Sequence, residues 1–202
     1  MKSPTSLLDA LRQQLRAQRL LLSVAEQQVA ALVVAHRLME AVEFLEASTV
    51  AGYWACRGEL NPAPLLEHAW AMDKAVYLPV LAGDALQFAP YRPNAPLRRN
   101  RFQIPEPEVS PAEWLPPSAL DLVLTPLVAF DLTGTRLGMG GGFYDRSFAF
   151  LRDPARSGHR PRLIGLAYEF QRVEVLIRQP WDIPLYAAVT EKTWRVFAES
   201  PG

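Results

Sequence analysis

The sequence predicts a single α/β domain, a largely parallel sheet flanked by helices on both faces in three layers. Three observations predict it. Half of the 202 residues are apolar, enough for one well-cored domain spanning 1–202. Short β-branched runs alternate with helical periodicities, the β-α-β order that favours parallel pairing. No repeat or low-complexity tract interrupts that alternation.

The elements follow in order. Ser6 with Asp9, and Ser23 with Glu26, are N-cap signals for two successive helices, and Ser23-Val-Ala-Glu26 has the form of a capping box. In the first helix Leu7, Leu8, Leu11 and Leu15 share a stripe, and Arg12, Arg16 and Arg19 form another at i, i+4, i+7. Residues 49–54 read as a buried strand, 57–59 as a turn, and Asn61-Pro62 as the start of a helix reaching Met72. A strand is expected over 74–80. Between 93 and 117 seven prolines leave few residues able to join a ladder or a helix interior, so this reads as an ordered surface excursion with a weak strand near Gln103-Ile104. Strands return at 120–125, 127–130, 162–167 and 187–190, with a helix over 143–151.

Composition excludes several classes of function. Basic and acidic side chains number 21 each, so no global field draws in nucleic acid or an anionic membrane. The cluster Arg98, Arg99, Arg101 is countered by Glu106, Glu108 and Glu113. The single cysteine, Cys56, excludes a disulfide framework, fits a reducing cytoplasmic compartment and reads as a small buried residue. His36, His68 and His159 lie too far apart for a zinc motif, and no apolar run approaches the ~20 residues of a membrane span.

The segment RLGMGGGFYDR (136–146) carries the chemistry. Four glycines fall within 138–142, after a strand and before a helix, so backbone N–H groups can converge on an anion beside a helix N-terminus. Arg136 and Arg146 bracket this loop as a possible bidentate phosphate clamp, and Asp145 is placed to hold a magnesium ion. It is not a Walker A loop, since the only lysines are Lys2, Lys74 and Lys192, and Phe143 stands where a dinucleotide fingerprint needs its third glycine. A plain glycine turn between strand and helix is the competing reading of the glycines alone.

The segment resembles the signature of the 5-formyltetrahydrofolate cyclo-ligase (methenyltetrahydrofolate synthetase) family. So do PLVAFD (126–131), GLAY (165–168) with Gln171 and Val173, WDIPL (181–185), VTE (189–191), GELN (58–61), IPEP (104–107) and the Arg12/Arg16 pair. The resemblance implies ATP- and Mg2+-dependent cyclisation of 5-formyltetrahydrofolate, with or without a polyglutamate tail, to 5,10-methenyltetrahydrofolate through an iminium phosphate. The implied ATP site is Arg12, Arg16, Arg136, Leu137, Gly138, Met139, Gly140, Gly141, Gly142, Phe143 and Tyr144. Asp145 and Asp182 become the magnesium ligands, Trp54, Glu59 and Tyr144 the substrate contacts, and Arg136, Arg146 and Asp145 the catalytic set. By residue type alone, Arg12 and Arg16 read as a solvated helical face, Glu59 as a turn glutamate, Asp182 as a turn acid and Trp54 as either core or pocket wall. Met139 and Gly141 stand where some relatives carry a basic residue, which shifts charge neutralisation onto the flanking arginines and the metal. The expected enzyme is a cytoplasmic monomer or weak homodimer that binds neither nucleic acid nor membrane. The alternative is a catalytically silent paralogue that only binds folate or nucleotide.

Overall fold

The computed structural model describes residues 4–153 and 159–197. Helix α1 (Pro4–Leu21) runs to the turn that starts α2 (Val24–Met39). The capping box forms in full: Ser23 Oγ accepts the Glu26 amide at 3.2 Å and Glu26 accepts the Ser23 amide at 2.8 Å. A short α3 (Val42–Glu46) leads into β1 (Thr49–Ala51). The strand stops earlier than the apolar run suggests because Gly52 passes under α4 (Ala63–Ala71), where a Cβ would sit 2.6 Å from Leu66. Pro62 is the N-cap of α4, and Asn61 before it accepts the Ala63 amide at 3.0 Å, tightening the turn into the helix.

The rest of the chain supplies β2 (Ala75–Ala82), β3 (Ala85–Pro90), β4 (Leu97–Arg99), β5 (Pro105–Pro107), β6 (Leu122–Pro126), β7 (Ala129–Phe130) and β8 (Arg136–Leu137). Helix α5 (Phe143–Ser147), β9 (Arg162–Leu166), β10 (Ala187–Val189) and β11 (Trp194–Val196) complete it. Seven strands form one sheet in the order β11-β10-β9-β6-β1-β2-β3. The five central strands are parallel, and β3 and β11 close the two edges antiparallel. Those two edge strands were not foreseen. Each follows a tight turn from its neighbour, a connection that permits only antiparallel pairing.

Alternation along the parallel strands feeds two cores. Val50, Leu122, Leu124, Ile164, Leu166, Ala187 and Val189 point to one face, under Ala30, Val34, Leu38, Phe44, Leu65 and Ala69 of the helices. Ala51, Val123, Leu163 and Ala188 point to the other, where Phe88, Phe130 and Phe148 pack. That second face is covered by short pieces: α5 lasts five residues and continues as a 3-10 turn over Ala149–Arg152, in place of the single helix expected over 143–151. A third cluster seats α1 through Leu15, with Leu8 and Leu11, against Val128, Ala129 and Leu137. Leu7, expected in that stripe, is exposed.

The excursion at 93–117 is ordered, as expected. It forms the small β4–β5 sheet and is tied to β2 by Glu106, which accepts the Leu81 amide at 2.9 Å. Among the described residues no helix is long and apolar enough to cross a membrane.

Candidate active site

The strand order reverses between β1 and β6: β2 lies on one side of β1, and β6, β9 and β10 continue on the other. In parallel sheets the crevice beyond the carboxyl ends at such a reversal is where ligands bind. Both sequence-derived motifs open there, the turn at 57–59 after β1 and the glycine loop after β6 to β8.

The loop is shaped by backbone. Gly140 and Gly142 have φ of 95° and 66°, conformations that side chains disfavour, and a Cβ on Gly142 would sit 2.6 Å from Arg146 Nη1. A recess of about 530 Å³ is lined by Gly140, Gly141, Gly142, Asp145, Arg146 and Trp181. Arg12 reaches this loop from α1, donating from Nε to the Gly138 carbonyl at 3.0 Å, with its guanidinium 3.8 Å from the Cβ position of Gly140. Arg16, one turn on, is half-buried with no ion pair to a described residue. The two arginines therefore face the protein rather than forming a solvated face.

The bracketing arginines are engaged by the protein itself. Arg136 Nη2 donates to Asp145 Oδ1 at 2.6 Å, Nη1 donates to the Ile183 carbonyl, and the guanidinium lies against the Tyr144 ring. Arg146 donates to the carbonyls of Asp84 and Gly141, each at 2.7 Å, and stacks on Phe143. It secures the loop's shape. With α5 only five residues long, little macrodipole is added, and positive charge comes mainly from guanidinium groups.

The two candidate metal ligands lie on touching segments. Asp145 Oδ1 accepts the Ile183 amide at 3.1 Å, and Ile183 follows Asp182. Asp182 Oδ2 accepts the Gln179 amide at 2.8 Å. No group of three or more metal-binding side chains occurs among the described residues, so a bound cation would take most of its ligands from water and phosphate, the habit of magnesium.

Beyond β1 a second recess of about 430 Å³ is lined by Tyr53, Trp54, Cys56, Glu59, Trp70 and Tyr91. Trp54 is 39% exposed, which places it in the pocket wall rather than the core. Glu59 is largely withdrawn from water, and burial raises its pKa; the Cys56 amide (3.1 Å) and Arg19 oppose the rise. Tyr144, from the glycine loop's helix, has a buried hydroxyl with no partner, and burial together with the charge of Glu59 raises its pKa. The charge of Glu59 thus reaches the start of the glycine loop's helix, at a junction between the two recesses. Sequence reasoning missed the buried groups behind this junction, Arg19 and the hydroxyl of Tyr168. The only signal for Arg19 was its place on the Arg12/Arg16 stripe.

The fold defines a single-domain α/β protein with a mostly parallel seven-strand sheet and two recesses at the reversal in strand order. Comparison with known proteins agrees with that class. The model of the 5-formyltetrahydrofolate cyclo-ligase family matches residues 5–191. The 5-formyltetrahydrofolate cyclo-ligase of Escherichia coli (strain K12) is 42% identical over 185 residues, covering 89% of this chain and 98% of the relative. The Haemophilus influenzae protein of the same name is 38% identical over 179 residues, covering 87% and 93%. The 5,10-methenyltetrahydrofolate synthetase of Aquifex aeolicus superposes with a TM-score of 0.79 at 32% identity, covering 97% of this chain and 95% of that one. The chain belongs to the 5-formyltetrahydrofolate cyclo-ligase family.

Proposed function

We propose that this protein cyclises 5-formyltetrahydrofolate to 5,10-methenyltetrahydrofolate at the expense of ATP. The observation that carries the reading is geometric: both recesses open at the one reversal in strand order, and helix α1 reaches the glycine loop through Arg12 and Glu59 through Arg19. A folate in the Trp54/Glu59 recess and a triphosphate on the loop would present their reacting ends to each other there.

The chemistry asks for positioning and charge neutralisation. The formyl oxygen is a poor leaving group, so it takes the terminal phosphoryl group of ATP and ADP departs. N10 then bonds to the activated carbon of this iminium phosphate, inorganic phosphate leaves, and the N10 proton is released. Gly138 to Gly142 offer a cradle that Arg12 reaches from α1, with Arg16 one turn further along the same helix. Arg136 fixes Asp145, and Arg146 fixes the loop. Asp145 and Asp182 would hold a magnesium ion through the oxygens not used by Arg136, Ile183 and Gln179. Such an ion would offset phosphate charge. Trp54 offers a face to the pterin, and Glu59 accepts from its N–H and amino donors. The reading keeps a cytoplasmic enzyme acting on a small molecule, supported by a single cysteine that is free.

The test is direct. Purified protein with Mg-ATP and 5-formyltetrahydrofolate is expected to generate the near-ultraviolet absorbance of the methenyl product with stoichiometric ADP. Folded protein that binds folate yet consumes no ATP would favour a silent binding paralogue instead.

A further inference from the structure

One side chain spans the reversal in strand order. Arg19 is 1% exposed. Its Nη1 donates to the Leu127 carbonyl, just past β6, at 3.2 Å, and lies 3.9 Å from Glu59 Oε1, just past β1. Among the described residues its Nε and Nη2 have no partner, and neither do the buried hydroxyls of Tyr144 and Tyr168. The turn carrying Glu59 is pressed onto the same part of α1. A Cβ on Gly58, whose φ is 75°, would come within 3.1 Å of the Arg19 carbonyl oxygen. Backbone contact and charge therefore fix the same relationship.

A buried guanidinium with two unpartnered nitrogens is costly, and an apolar side chain of similar volume would pack there without that cost. What an apolar residue lacks is a positive charge beside a carboxylate. Five groups face Glu59: Arg19 from α1, Arg57 and Cys56 in its own turn, Tyr53 at the end of β1, and Tyr144 from α5. Only two are cations, and Arg57 is exposed, so solvent screens it. Arg19 is the unscreened one.

We propose that Arg19 is a positioning residue that keeps Glu59 ionised and aimed into the folate recess, so that the pterin donors meet a carboxylate rather than a carboxylic acid. This rests on the reading of Glu59 as a substrate contact. Burial already pushes Glu59 toward its neutral form, and removing Arg19 removes the principal buried charge opposing that push.

The experiment measures 5-formyltetrahydrofolate affinity without ATP, by tryptophan fluorescence from pH 5 to 9, for the intact protein, Arg19→Met, Arg19→Lys and Glu59→Gln. Arg19→Met is expected to bind about tenfold more weakly near pH 6, with the gap closing toward pH 9 as Glu59 ionises unaided. Its thermal midpoint is expected not to fall. Arg19→Lys, which keeps the charge, is expected to stay within about threefold throughout. Two results overturn the proposal: wild-type affinity and pH dependence in Arg19→Met, or a loss that is equal at every pH and matched by a lower thermal midpoint. Should Arg19→Met not fold, Arg19→Gln carries the same reading. Wild-type affinity in Glu59→Gln would instead refute Glu59 as the substrate contact. Weak, pH-independent binding in Glu59→Gln beside an unaffected Arg19→Met would refute Arg19 alone.

Discussion

The glycine loop and the turn after β1 face one crevice and are built in opposite ways. The loop draws its shape from backbone, and its bracketing arginines are engaged by Asp145, Ile183, Asp84 and Gly141. Around the turn, side chains do the shaping, and Arg19, Tyr144 and Tyr168 keep buried polar atoms without partners. A satisfied cradle is suited to holding one invariant group, such as a triphosphate. A pocket walled by side chains such as Trp54 and Glu59 is suited to recognising a particular ligand, because an ill-matched one leaves the carboxylate unpaired.

The largest expected effect breaks the loop side. Asp145→Ala removes the partner of Arg136 and, on the proposed reading, a metal ligand, and turnover is expected to fall by about 10³-fold or more. Folate affinity measured without ATP should change less than about threefold, and a comparable loss of folate binding would show the two recesses to be inseparable. Next comes Gly142→Ala, which forces a side chain into φ of 66° and toward Arg146 Nη1. ATP KM is expected to rise about tenfold or more, with local strain of about 1–3 kcal/mol. On the other side, Glu59→Gln should raise folate KM about tenfold or more while ATP affinity without folate is kept. Titration calorimetry of each ligand separately reads both.

A smaller effect lies outside the crevice. Asp121 accepts the amides of Ser48 and Thr49, each at 2.8 Å, and so registers β1 against β6. Burial raises its pKa, but those amides, the Thr49 hydroxyl and His159 outweigh burial and hold it below the usual carboxylate range. A depressed carboxylate stabilises fully above its unfolded pKa, near 3.9, and loses that contribution as pH falls through the folded value. Asp121→Ala is expected to cost about 1–2 kcal/mol at pH 7, discounted for partial exposure, with a deficit that shrinks below about pH 4. Denaturant melts at both pH values check this. Smallest of all is Cys56→Ala, expected to leave turnover unchanged. Burial and Glu59 push the thiol up to about 11, so alkylation at pH 8 should be slow, and fast labelling would show the recess to be open to water around it.

What was legible follows from how each region is built. Four glycines, a strand before them and an acid after them make a pattern within one short segment, so the cradle could be read directly. The parallel core was legible for the same reason, since 49–54, 120–125 and 162–167 carry their apolar residues locally. The burial of Glu59 was not legible. It arises because α1 docks some 40 residues away in sequence, through Leu15 on Val128 and through Gly58 on the Arg19 backbone. Arg19 shares its stripe with Arg12 and Arg16, and nothing in the helix distinguishes a buried guanidinium from a solvated one. The engagement of Arg136 by Ile183 was hidden likewise, because 182–183 meets the loop only after β9 has crossed the sheet.

Helix α1 touches both recesses, with Arg12 on the loop and Arg19 beside Glu59. Seven residues at 1.5 Å each place these contacts about 10 Å apart along one axis. The helix is in that sense a ruler laid between the two recesses. Rotating it by one residue would misplace both contacts at once.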